Sequence, residues 1–379
     1  MIFVDRGEEL KYLKNYILKF PLPLQELPRS RQLLLLIGPK GVGKTSLLRK
    51  LVEQGVEDTV FVYVEFRGPY EGTEDLLADM LAQYIEIIRK LKPPWLQVLK
   101  KVLVAMGIKL LGEEIVEVLL APENKEILSK LRPTLVLRRL EKELCSLAGK
   151  ENSRLVIIYD EFQNFLEVIV SKDRFKPLLK TFITYLSKNQ EWGFMDIKGY
   201  PIYILSTSDY TFYRLLEEYR GSYLEVMYIK ELERKYAIEL TKKFLEAYNM
   251  EYRGLEVEYM VEILGGNPSV IIEFINKMKA TNTQAVLEDI DKLLNKVIEE
   301  IREHVFSRLS RASKKLLEEL KSMLKEKDVV DMYELMSKSG LEEETFLHAI
   351  NELLTENILQ YVNGKVGFQN NLIKCAITG

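Results

Sequence analysis

Gly38-Pro39-Lys40-Gly41-Val42-Gly43-Lys44-Thr45 carries the spacing GxxxxGK[ST], set between an apolar run over 33–37 and an amphipathic stretch over 46–54. The glycines let the backbone turn tightly, so successive N–H groups converge on phosphate oxygens, and the helix that follows aims its positive dipole end at the same point. Lys44 is then placed to neutralise β- and γ-phosphates, and the Thr45 hydroxyl to reach Mg2+. Ser46 closes the set of expected nucleotide contacts. The chemistry predicted is capture of a nucleoside triphosphate together with Mg2+.

A second constellation is Leu155-Val156-Ile157-Ile158-Tyr159-Asp160-Glu161-Phe162-Gln163. An apolar strand here delivers two carboxylates to its C-terminal edge, where open α/β sheets bind their ligands. Asp160 is expected to hold Mg2+, through water or through the Thr45 hydroxyl, and Glu161 to orient and deprotonate the attacking water. A third element, Pro201-Ile202-Tyr203-Ile204-Leu205-Ser206-Thr207-Ser208, ends in hydroxyls. Ser206 or Thr207, with Thr207 preferred, could sense the γ-phosphate; a turn or helix cap is the other reading. Arg220 could aim a guanidinium at phosphate or pair with Glu217 or Glu218. Arg6 could line the base or ribose, or belong to a charged helix face. Pro268, in Gly265-Gly266-Asn267-Pro268, could press on the nucleotide from a second domain or simply mark a turn.

These residues need a scaffold. Short β-branched or aromatic runs over 33–37, 60–66, 155–159 and 202–206 read as buried strands. Helical periodicity over 75–91 and 135–147 covers them, which predicts an α/β parallel sheet with helices on both faces. A stretch near 93–133 is predicted as an insertion, with a hairpin around Gly107 to Gly112. After Tyr228 the pattern turns helical through His304, broken once at the Gly-Gly-Asn-Pro step. From Arg308 three helical patterns precede alternating apolar residues around Asn363-Gly364, a hairpin signal. Domains are expected at 1–228, 229–305 and 306–379, in keeping with a length of 379 residues.

Composition narrows the class. A net charge of −3 supplies no global field for nucleic acid. The two cysteines, Cys145 and Cys375, suit neither a disulfide framework nor a zinc site, and a reducing cytoplasm fits. No segment reads as a secretory signal or a membrane span.

With GPKGVGKT, LVIIYDEFQ, ILSTS, the Tyr219-Arg220-Gly221 step, GGNP and the opening Asp5-Arg6-Gly7-Glu8-Glu9-Leu10 in this order, the chain resembles the archaeal ATPase family of STAND-type P-loop NTPases, relatives of AAA+. The resemblance spans essentially the whole length. It implies a slow ATPase switch, in which a helical lid and a C-terminal winged-helix domain move relative to the NTPase core. It carries the phosphate-loop roles to Lys44 and Thr45, the acidic roles to Asp160 and Glu161, the sensor to Ser206 or Thr207, and the lid contact to Pro268. The family often has Gly-Arg where this chain has Tyr219-Arg220.

The partner expected for the lid or winged helix is a protein, with oligomerisation on nucleotide binding as one outcome. An alternative is a DNA-binding AAA+ protein resembling archaeal origin-recognition initiators. The helix over 341–356 disfavours it, carrying Glu342, Glu343, Glu344, Glu352 and Glu356 where a reader of phosphates needs lysine or arginine.

Overall fold

The computed structural model describes residues 4, 6–20, 33–89, 104, 133–169, 201–210, 213, 224–324 and 327–378. Its first part is built on strands β1 (Leu33–Ile37), β2 (Thr59–Glu65), β3 (Arg154–Asp160), β4 (Pro201–Thr207) and β5 (Leu224–Tyr228). They form one parallel sheet in the order β2-β3-β4-β1-β5. Helices α1 (Gly7–Leu18), α2 (Lys44–Gln54), α3 (Thr73–Arg89), α4 (Pro133–Lys150) and α5 (Phe162–Ile169) accompany it.

Alternation along each strand explains the layering. Leu33, Leu35 and Ile37 join Val62, Val64, Ile157 and Leu205 in one apolar cluster, while Leu34, Leu36, Val156, Ile158 and Ile204 face a second. β1, β3 and β4 are therefore buried on both faces and read as continuous apolar runs, while the outer strands β2 and β5 are partly exposed.

The four strands expected from sequence are present, each within a residue or two of its predicted bounds. β5 is an addition: with Leu224 its single fully buried residue and Glu225 next to it, it shows no apolar run. The predicted insertion near 93–133, including the hairpin around Gly107 to Gly112, and Arg220 with its neighbours lie outside the described residues.

Beyond β5 the chain is helical. Helices α6 (Arg234–Ala247), α7 (Gly254–Leu264), α8 (Pro268–Ala280) and α9 (Leu287–Arg308) pack around their own cluster, with Leu240, Met260, Ile271 and Leu294 inside. The Gly-Gly-Asn-Pro step separates α7 from α8. Asn267 caps α8 by accepting from Ser269 N, and Pro268 occupies a first-turn position where its missing N–H costs nothing.

The last part runs α10 (Arg311–Met323), β6 (Val330–Asp331), α11 (Met332–Ser339), α12 (Glu343–Thr355), β7 (Leu359–Val362), β8 (Lys365–Phe368) and α13 (Asn371–Thr378). Its strands form a three-stranded antiparallel sheet in the order β6-β8-β7. Asn363 at φ 54° and Gly364 at φ 79° make the two-residue turn between β7 and β8, the left-handed pair that matches the twist of a hairpin. The core of this part, including Leu316, Phe346 and Leu353, is continuous with the cluster on one face of the parallel sheet.

Candidate functional site

The phosphate-loop motif lies between β1 and α2, with Gly38 and Pro39 buried and Lys40 exposed. Gly43, at φ 97°, is the residue before the first turn of α2. Gly41 has φ 80°, and a Cβ there would fall 2.4 Å from Ser269 Cβ, so only glycine fits both the turn and the neighbour. Lys44 is 4 % exposed, and its Nζ donates to Gly38 O at 2.8 Å and Pro39 O at 3.1 Å. Burial pushes the Lys44 ammonium down to about 8, against the opposing pull of Glu161 and Asp160. Thr45 and Ser46 follow in the first turn of α2, where helix N–H groups lack internal acceptors.

Register brings the acids to the same edge. Ile37 pairs with Thr207 and Tyr159 with Leu205, so the ends of β1, β3 and β4 lie side by side. Asp160 is wholly buried; its Oδ2 accepts from Tyr63 Oη at 2.8 Å and its Oδ1 from Glu161 N at 3.1 Å. Burial, then the Asp160 charge, drives the Tyr63 phenol far above its ordinary range, so it stays a donor.

Glu161 has φ 52°, a left-handed backbone for a residue with a side chain, and such departures concentrate at functional sites. Its Oε2 accepts from Gln163 Nε2 at 2.5 Å and from Ser208 Oγ at 3.1 Å. Thr207 Oγ1 donates to Gln163 Oε1 at 2.7 Å and accepts from Asp209 N at 3.0 Å. The Ser206 hydroxyl is buried and makes no hydrogen bond among the described residues.

The remaining predicted residues fall as follows. Arg6 is buried, donating to Val42 O at 2.9 Å and Lys230 O at 2.8 Å and pairing with Glu9 at 2.8 Å. It ties the loop to the segment after β5. Pro268 starts α8, and it is its neighbours that touch the loop: Asn267 Nδ2 donates to Lys40 O at 3.0 Å and Ser269 N to Gly41 O at 3.2 Å. From the last part, Gln369 reaches the same loop. With its amide oriented to satisfy both ends, its nitrogen donates to Leu359 O at 3.1 Å and its oxygen accepts from Lys40 N at 2.9 Å.

A cleft of about 440 Å³ opens beside these groups, lined by Lys40, Glu161, Gln163 and Ser208 on one side and by Thr355 and Asn357 on the other. Gln163, Ser208, Asn267, Ser269 and Gln369 were not among the residues predicted for the site. Gln163, Ser208 and Asn267 sit inside or beside the motifs, but only tertiary contacts reveal what they hold. Gln369 has no local signal at all.

Main-chain N–H groups, a buried ammonium and hard carboxylate oxygens gathered at one sheet edge suit a polyphosphate with its divalent cation. The sheet order and this loop define an α/β P-loop NTPase-like fold. A family model described as the ATPase domain predominantly from Archaea matches residues 3–274, and the chain belongs to that family.

Among solved structures, the Walker-type ATPase of Pyrococcus abyssi aligns at 17 % identity with a TM-score of 0.58, over 99 % of this chain and 96 % of that one. The ORC2 protein of Aeropyrum pernix, in its ADPNP-ADP complexes, aligns at 15 % identity with a TM-score of 0.52, over 98 % and 92 %. At these identities the likeness is one of fold. No curated protein matches the chain in sequence. Among the described residues, no helix is long and apolar enough to cross a membrane.

Proposed function

We propose that the chain is an ATP-hydrolysing molecular switch of the STAND type. A lid over 229–305 and a winged-helix domain over 306–379 relay the nucleotide state of the core, 1–228, to a protein partner in the cytoplasm. One observation carries this reading: both later parts touch the backbone of the phosphate loop, through Asn267, Ser269 and Gln369. A nucleotide that rearranges the loop therefore changes the seat of both parts. That supplies the differential affinity a ligand needs to drive a conformational change.

In the hydrolytic step a water oxygen attacks the γ-phosphorus and the bond to the β–γ bridging oxygen breaks. Glu161 accepts the water's proton, and ADP and phosphate leave. Lys44 offsets charge on the phosphates, the largest service a protein renders this reaction after positioning. The Thr45 hydroxyl and the Asp160 carboxylate, oriented by Tyr63, are the hard oxygens that would hold Mg2+, which when bound neutralises charge on the β- and γ-oxygens. Arg220 and the Ser206–Thr207 pair are the further candidates to sense the γ-phosphate. A protein partner is favoured over DNA because α12, which precedes the hairpin, has Glu343, Glu344 and Glu352 and neither lysine nor arginine.

The test is Glu161→Gln. Mg-ATP affinity is expected to stay within a factor of about two, while single-turnover phosphate release falls roughly 100-fold or more. Hydrolysis at the wild-type rate would remove Glu161 as the base.

A further inference from the structure

We infer that Gln163 is a positioning residue for hydrolysis: with Ser208 it clamps the Glu161 carboxylate and couples it to the end of β4 through Thr207. The inference rests on Glu161 being the base and adds how that base is aimed.

Both ends of the Gln163 amide are engaged, and the residue is 8 % exposed. The direction of the chain of bonds is fixed. A carboxylate only accepts, so the amide nitrogen of Gln163 must face Glu161. The amide oxygen then faces Thr207, whose hydroxyl accepts from Asp209 N and donates to Gln163 Oε1, and the sequence of donors ends on the carboxylate.

Both bonds to Glu161, from Gln163 and from Ser208, land on Oε2. One carboxylate oxygen is thereby fixed from two directions, and no described residue donates a hydrogen bond to Oε1, which is left for the water. These bonds hold the Glu161 side chain between α5, which carries Gln163, and Ser208, which follows β4 directly. A residue that only stabilised the turn would have no need to point its amide at the carboxylate while accepting from β4.

The coupling has a consequence for sensing. Thr207 pairs in register with Ile37, the residue before the phosphate loop, so a shift of β4 relative to the loop reaches Glu161 through two hydrogen bonds. The Thr207 hydroxyl then acts by way of Gln163.

Gln163→Met keeps the side-chain length and packing and removes both hydrogen bonds. Single-turnover phosphate release at saturating Mg-ATP, with nucleotide affinity measured beside it, is compared for wild type, Q163M, E161Q and the double variant. Q163M is expected to lower the rate roughly 10- to 100-fold, as a misplaced catalytic group does, with affinity within about twofold of wild type. In the E161Q background the same change is expected to add less than about threefold, because a clamp acts only through the group it holds.

A wild-type rate for Q163M beside a crippled E161Q removes the clamp alone. A full additional loss in the double variant assigns Gln163 a general structural role and overturns the inference. An E161Q protein at wild-type rate removes the base assignment and the clamp with it.

Discussion

Lys44 shows how the site is prepared for an anion. Its ammonium is nearly enclosed, carries an intrinsic cost of desolvation, and is satisfied by two carbonyls of its own loop. Burial is the largest influence and lowers its affinity for a proton to about 8, with Glu161 and Asp160 opposing. In the nucleotide-free protein Lys44 therefore loses its charge as pH rises through that value. A bound polyphosphate favours the charged form and raises the value again. Binding at pH 8.5 is thus expected to take up between about half a proton and one proton per site, and affinity to decline above pH 8. Titration calorimetry in buffers of different protonation heat reads the uptake directly. Lys44→Arg, whose guanidinium stays charged throughout, is expected to abolish that uptake; uptake persisting in K44R would assign it to another group.

Among the elements, the connection from β5 into α6 carries a carboxylate whose hold on its proton is raised by its surroundings. Glu231 Oε2 accepts from Gly266 N at 3.3 Å, between the sheet and the α7–α8 turn, while its Oε1 is buried without a hydrogen bond among the described residues. Burial raises the Glu231 carboxyl to about 7, with the Gly266 bond working the other way. The folded protein then binds a proton that the unfolded chain releases above its ordinary 4.5, so this group's contribution favours the fold at acid pH and fades as pH climbs from 4.5 through 7. Glu231→Gln is expected to flatten that decline and to be more stable than wild type above pH 7 by on the order of 1–2 kcal/mol, read from unfolding curves at pH 5 and pH 8. An unchanged pH slope would show that Glu231 ionises freely at this junction. The elements themselves were legible in proportion to how local their causes are. Buried apolar runs announced β1 to β4, Asn363-Gly364 announced the hairpin, and the glycine-rich loop announced its own turn. β5 was hidden because an edge strand with one covered residue has no run to display. Gln163 was visible as a letter of a motif, but its partner Thr207 is 44 residues away. Gln369 is joined to the loop by the tertiary fold alone.

At the level of the whole molecule, the last part is moored to the core by polar contacts around a shared apolar cluster. Tyr228 Oη donates to Gln360 Oε1 at 2.5 Å, Tyr213 Oη to Asn363 Oδ1 at 3.3 Å, and the rings of Tyr213 and Tyr361 lie 6.2 Å apart. A second cleft, about 490 Å³, runs between Pro39 and Glu231 on the core side and Gln360, Gln369 and Lys374 on the other. Burial of this kind makes release costly, so nucleotide must supply a competing interaction at the contact itself. Gln369 offers that point, since it accepts from Lys40 N, a main-chain donor of the loop that would otherwise be available to an anion. Gln369→Ala removes that neutral acceptor and frees Lys40 N. Because a typical hydrogen bond contributes about 1 kcal/mol net, Mg-ATP affinity is expected to rise roughly fivefold. Tyr228→Phe, which loosens the same mooring at Gln360 without touching the loop, is expected to act in the same direction but more weakly. Fluorescent-nucleotide titration measures both, and small-angle scattering reads whether the molecule expands when the triphosphate binds. If Q369A binds with wild-type affinity and scattering shows no expansion, the last part is a fixed wall of the site and the nucleotide does not work against it.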